Sequence, residues 1–139
     1  MNRTELRFNI TSEFDVNSAV ISTGKFVTTL GCNESLVHVF MTTVSELAHN
    51  IEKYAGIGHI YVRKIHRTGS IDIEIVAEDK GPGINDIDSA MADHFSTSGT
   101  LGLGLPGVKR LMDEFHIESN PDSGTRITVK KWISERCES

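Results

Sequence analysis

The chain has 139 residues, 38% hydrophobic and 24% charged, with fourteen Lys and Arg against nineteen Asp and Glu. At ~150 residues per domain this predicts one domain over 1–139 that folds around its own core without metal or disulfide support. The net charge of −5 argues against nonspecific binding to nucleic acid or to an anionic membrane, so no nucleic-acid and no membrane partner is expected. No apolar run approaches the ~18 residues of a membrane span, and the opening MNRTELRFNI lacks the apolar core of a signal peptide, which points to a soluble cytoplasmic protein. Cys32 and Cys137 show no CxxC or Cys/His ligand spacing and read as bystanders.

In chain order, Leu6, Phe8 and Ile10 alternate with Glu5, Arg7 and Asn9, the period of a half-buried strand. Val16, Ala19, Val20, Phe26, Val27 and Leu30 recur at helical spacing and predict a helix over 15–30, stopped at Gly31. Asn33 reads as the N-cap of a longer helix over 34–55, with Leu36, Val37, Phe40, Val44, Leu47, Ala48 and Ile51 as its buried stripe and Gly56 as its end. His59 to Arg67 and Ser70 to Asp79 read as two strands joined at Thr68-Gly69, the second with one apolar face and one wet or partner-bound face. Residues 80–107 hold two of the three prolines, several glycines and the tract STSGT at 96–100, a loop too long and breaker-rich to be a simple connection. A helix over 107–114, with Val108, Leu111 and Met112 facing inward, and strands near 115–119 and 125–133 complete the order β-α-α-β-β-lid-α-β-β, an α+β sandwich.

Three constellations carry chemistry. Glu46 and Asn50 lie four apart on the long helix, so they share a face about 6 Å apart along the axis. The Asn50 amide oxygen suits a hard cation such as Mg²⁺, and Glu46 suits a proton acceptor for an attacking hydroxyl or water. The same pair also reads as an ordinary solvated helix face. Asp79-Lys-Gly81-Pro-Gly83-Ile84 follows a strand end: an acid there can accept from an exocyclic amino group, as an adenine presents, while the glycines allow close backbone approach. It reads equally as a strand-exit turn. Gly102-Leu-Gly104-Leu-Pro-Gly107 leads into a helix and offers backbone N–H groups to phosphate. Its GxGxxG spacing lacks the preceding strand and later acid of a dinucleotide fold, because Ile127 stands where that acid belongs, and no Gly-Lys-Ser/Thr supports a Walker loop.

Ser96, Thr97, Ser98 and Thr100 could fold hydroxyls over a triphosphate or form a plain polar loop. Lys109 and Arg110 read as solvated charges and His49 as a structural histidine. Thr125 reads as a purine-pocket residue or as a simple strand former.

Taken in order, Glu46-x-x-x-Asn50, Asp79-x-Gly81-x-Gly83-Ile84, Gly102-x-Gly104-x-x-Gly107 and Gly124-Thr125 resemble the four boxes of the gyrase, Hsp90, histidine kinase and MutL (GHKL) ATPase superfamily. The chain leaves no room for a transducer or phosphoacceptor domain, which selects the small serine/threonine kinase branch of anti-sigma-factor type. SELAHNIEKYAG at 45–56, AEDKGPGI at 77–84 and FSTSGTLGLGLPGVKRLMDEF at 95–115 are similar to the RsbT-like switch kinases of the bacterial stressosome. The resemblance implies a two-layer Bergerat fold, a mixed, mostly antiparallel sheet covered on one face by helices, with a glycine-rich ATP lid.

It also implies ATP and Mg²⁺ as cofactors and Glu46 as catalytic base, with Asn50 as metal ligand. The nucleotide contacts it implies are Asn50, Asp79, Gly81, Gly83, Ile84, Ser98, Gly102, Leu103, Gly104, Gly107 and Thr125. The implied activity is phosphorylation of Ser or Thr on STAS-domain scaffold or antagonist proteins (RsbS/RsbR-like), followed by binding and activation of a PP2C-type phosphatase (RsbU-like). Two other readings stay open: an ATP-binding anti-sigma or phosphatase-activating module without kinase turnover, and a stand-alone ATPase.

Overall fold

The computed structural model describes residues 4–81, 104–120 and 122–134. Five strands and three helices appear among them: β1 (Glu5–Ile10), α1 (Glu13–Thr29), α2 (Glu34–Tyr54), β2 (Gly58–Arg67), β3 (Ser70–Asp79), α3 (Gly104–Leu111), β4 (Glu114–Asn120) and β5 (Gly124–Ser134). The strands form one sheet in the order β1-β2-β3-β5-β4. Every neighbouring pair of described strands is antiparallel, so the sheet is purely antiparallel over these residues where a mixed one was expected. Each hydrogen-bonded neighbour except β3 and β5 is also consecutive among the strands, and β4, which follows α3, lies at the edge beyond β5.

The helix boundaries follow from their caps. Ser12 accepts the N–H of Asp15, whose carboxylate in turn accepts the N–H and hydroxyl of Thr11 at 2.9 and 2.6 Å. This reciprocal cap starts α1 two residues before the apolar spacing alone suggests. Asn33 accepts the N–H of Leu36 at 2.9 Å and opens α2 at the expected residue. Gly31 and Gly56 take φ values of 90° and 83° just past the two helices, a conformation that glycine adopts without strain.

The third helix lies three residues earlier than the 107–114 predicted from sequence. Pro106 stands in its first turn, where a missing N–H costs no helical hydrogen bond. After Leu111 the chain turns into β4, and the N–H of Asp113 bonds the carbonyl of Lys130 at 2.9 Å.

The helices cover one face of the sheet. Val16, Ala19 and Val27 of α1 and Phe40, Val44, Leu47 and Ala48 of α2 are fully buried against Ile60, Val62, Ile73, Ile75 and Val129. The opposite face carries ion pairs such as Arg126 with Glu78 and Arg63 with Glu74. It is not wet throughout: Asp72 is 1% exposed, paired with Arg67 and set between Ile65 and Trp132 in the ladder. Cys32, between α1 and α2, is buried among the core residues. Among the described residues no helix is long and apolar enough to cross a membrane.

Candidate functional site

The apolar stripe that buries α2 also fixes where its polar residues point. Glu46, one turn before Asn50, turns with the buried face: it is 1% exposed, and its Oε1 accepts the N–H of Gly104 at 3.1 Å. Gly104 opens α3 with φ 61°. A carboxylate therefore sits at the positive end of that helix, where N–H groups without a helical partner favour an anion.

Asn50 faces the sheet. It lines a narrow cleft with Asp79 at the end of β3 and Thr125 at the start of β5, and Leu47, Ile51, Tyr54, Ala77 and Ile127 supply the apolar walls. The Asp79 carboxylate accepts the N–H of Gly81 at 2.9 Å and lies close to that of Thr125. Burial pushes the Asp79 carboxyl above its ordinary pKa, and these two N–H groups pull it part of the way back. The cleft holds only about 10 Å³, whereas a wide groove of about 1110 Å³ opens past the same strand ends and shares Asp79 and Thr125 with it.

Two glycines hold Asp79 in place. Gly124 has φ 88°, and any Cβ there would collide with the carbonyl oxygen of Asp79. At Gly81 a Cβ would lie 2.6 Å from that of Ala55, just after α2. Glycine at these points lets β5 and the end of α2 close on the acid, a packing role beside the backbone freedom read from sequence.

The structure thus brings together Asn50, Asp79, Gly81 and Thr125, and joins Glu46 to Gly104. Gly107 is buried inside α3 instead of preceding it. Gly83, Ile84, Ser98, Gly102 and Leu103 lie outside the described residues. Lys109 and Arg110 are exposed. His49 turns away from the cleft, its Nδ1 2.7 Å from the carbonyl oxygen of Ser45 and its Nε2 3.7 Å from Glu13 of α1, a structural placement.

The walls Tyr54, Ala77 and Ile127 were not singled out from sequence, because apolar residues at these spacings read only as core. Ser119 was also missed, and its Oγ lies 2.8 Å from Thr125 Oγ1. Its signal was the cross-strand pairing with Thr125, which requires the register of β4 on β5.

Among the described residues no three His, Cys, Asp or Glu gather as metal ligands. One amide oxygen from Asn50 fits Mg²⁺ held mainly by water and phosphate oxygens, and does not fit a cation caged by protein.

Residues 37–134 match the family described as histidine kinase-, DNA gyrase B- and HSP90-like ATPase. The chain is 54% identical over 92 residues to the serine/threonine-protein kinase RsbT of Bacillus subtilis, covering 66% of this chain and 69% of the relative. It is 36% identical over 98 residues to an anti-sigma F factor of Caldanaerobacter subterraneus, covering 66% and 67%. Among solved structures, the SiaB-SiaC complex of Pseudomonas aeruginosa contains a chain of similar fold, with a TM-score of 0.59, 15% identity and coverage of 95% and 92%. The mycobacterial sensor histidine kinase MprB gives a TM-score of 0.53 at 16% identity, covering 92% and 97%. The chain belongs to the histidine kinase-, DNA gyrase B- and HSP90-like ATPase family and, within it, to the RsbT-like serine/threonine-protein kinases.

Proposed function

We propose that this chain works as a single-domain cytoplasmic switch kinase that moves the γ-phosphoryl group of Mg-ATP to a Ser or Thr hydroxyl of a STAS-domain scaffold or antagonist protein (RsbS/RsbR-like). When released from that partner, it binds and activates a PP2C-type phosphatase (RsbU-like) in a stress-response circuit. The observation that carries the reading is the convergence of Asn50, Asp79 and Thr125 on one cleft, with Glu46 a turn away on the same helix, in a chain so similar to a serine/threonine-protein kinase.

In this reading Asp79 accepts from the exocyclic amino group of adenine, Thr125 completes the polar end of the base site, and the apolar walls exclude water. The backbone around Gly104 and Gly107 holds phosphate, with Gly83, Ile84, Ser98, Gly102 and Leu103 adding further contacts. Asn50 is the protein's ligand to Mg²⁺, which when bound neutralises charge developing on the phosphate oxygens. The acceptor oxygen forms its bond to the γ-phosphorus as the bond to the β–γ bridging oxygen breaks. Its proton passes to Glu46, and ADP leaves.

Incubation with Mg-ATP and a candidate STAS-domain protein, read by mass spectrometry, tests the proposal. A phosphorylated Ser or Thr on the acceptor is expected, and an unmodified acceptor with ATP bound to the chain would refute turnover. That second outcome would fit the reading in which the chain is an ATP-binding anti-sigma or phosphatase-activating module. The burial of Glu46 against Gly104 favours it.

A further inference from the structure

Four strand ends meet in one transverse row: Gly58 of β2 pairs with Asp79 of β3, Asp79 with Thr125 of β5, and Thr125 with Ser119 of β4. Along the row the Thr125 N–H lies near enough to the Asp79 carboxylate to favour its charged form, and Thr125 Oγ1 lies 2.8 Å from Ser119 Oγ. Thr125 is 7% exposed, so its hydroxyl is shared mainly between Ser119 and whatever enters the cleft.

A hydroxyl has one proton to give. If Ser119 donates to Thr125, the Thr125 proton is free to point into the cleft. If Thr125 donates to Ser119, it offers the cleft only lone pairs. The ionised Asp79 beside it accepts and cannot donate. An acceptor next to a donor complements a purine edge bearing an amino group beside a ring nitrogen lone pair, which is the edge of adenine. A 6-oxo purine in the same pose sets a carbonyl oxygen against the carboxylate and a ring N–H against a donor, leaving buried polar groups mispaired, and such mispairing discriminates strongly.

We propose that Ser119, by donating to Thr125 Oγ1, is a positioning residue that fixes the Thr125 hydroxyl as a donor and so selects adenine over a 6-oxo purine. The proposal rests on the reading of the cleft as a nucleotide site. Ser119, half-buried on the sheet's edge strand, is absent from the narrow cleft and lines the wide groove that shares Asp79 and Thr125 with it.

The experiment is calorimetric titration of the full chain with ATP and with inosine triphosphate. The wild type is expected to prefer ATP by more than about tenfold, a difference of ~1.4 kcal/mol. Ser119→Ala should cut that ratio about fivefold or more, chiefly by weakening ATP, and Ser119→Thr should restore it, a rescue that loss of packing alone would not give. Ser119→Cys, nearly isosteric but a poor donor, carries the same expectation should the alanine variant misfold. An unchanged ratio in the folded Ala or Cys variant overturns the proposal while leaving the nucleotide site standing, and a gain in ATP affinity would mean that the hydrogen bond runs the other way. A wild type that binds neither nucleotide removes the site and the proposal together.

Discussion

Glu46 and Gly104, 58 residues apart in the chain, are joined by a buried hydrogen bond of 3.1 Å from the first amide of α3 to a carboxylate in the middle of α2. The group best suited to take a proton from an acceptor hydroxyl and an amide suited to hold phosphate satisfy each other. Glu46→Gln keeps an acceptor for that amide but loses the proton-accepting carboxylate. Phosphotransfer should fall about 10²–10⁴-fold with little change in thermal midpoint. Glu46→Ala leaves the Gly104 amide unpaired and should cost about 1–3 kcal/mol of stability by urea denaturation. Wild-type turnover in the Gln variant would exclude Glu46 as the base.

Asp79 pays for its position, since burial disfavours its charged form. With the folded pKa above the unfolded one, the folded state binds the proton more tightly. Stability from this group therefore falls as pH rises from the unfolded value through the folded one, and the penalty is complete above that window. ATP affinity should run the opposite way, weakening as acidification protonates the acceptor. Asp79→Asn should keep or raise the thermal midpoint, remove both pH trends and weaken ATP at least tenfold in titrations at neutral pH. Unchanged affinity would take Asp79 out of the base site.

Gly124→Ala tests the clamp on Asp79. An L residue at φ 88° costs roughly 1–2 kcal/mol in backbone strain alone, and the new methyl group meets the Asp79 carbonyl. A loss above about 2 kcal/mol is expected in denaturant titrations, together with ATP binding weaker than global destabilisation explains when measured well below the melting temperature.

Asn33→Ala removes the N-cap of the helix that carries Glu46 and Asn50. It should cost about 1 kcal/mol in chemical denaturation and leave ATP affinity within about twofold, because the cap lies three turns or more from either residue. A large loss of affinity would mean that the start of α2 is coupled to the cleft.

Most of the fold is legible in the residues. Alternation marks β1 and β3, the apolar stripe marks α2, and Asn33, Gly31, Gly56 and Gly69 mark ends and turns through their conformational preferences. Where local reading failed, a tertiary partner had overridden it. Pro106 and Gly104 look like breakers, yet α3 begins at Gly104 with its first amide bound by Glu46. Asp72 occupies an alternation position that reads as wet, yet Arg67 and its neighbours in the ladder bury it. Glu46 and Asn50 lie one turn apart on α2, but that spacing does not tell that Glu46 bonds the first amide of α3 while Asn50 lines the cleft against the sheet. Ser119 and Tyr54 acquire meaning only from strand register and from the packing of α2 on the sheet, which no local pattern encodes.

The narrowness of the cleft between α2 and the sheet has a kinetic consequence. Its 10 Å³ is barely enough for one water molecule, so a purine ring that reaches Asp79 from the wide groove can seat against Asn50 only after the walls of the cleft part. Stopped-flow association should therefore level off at high ATP concentration, at a ceiling set by how often the protein opens and not by how often the two molecules collide.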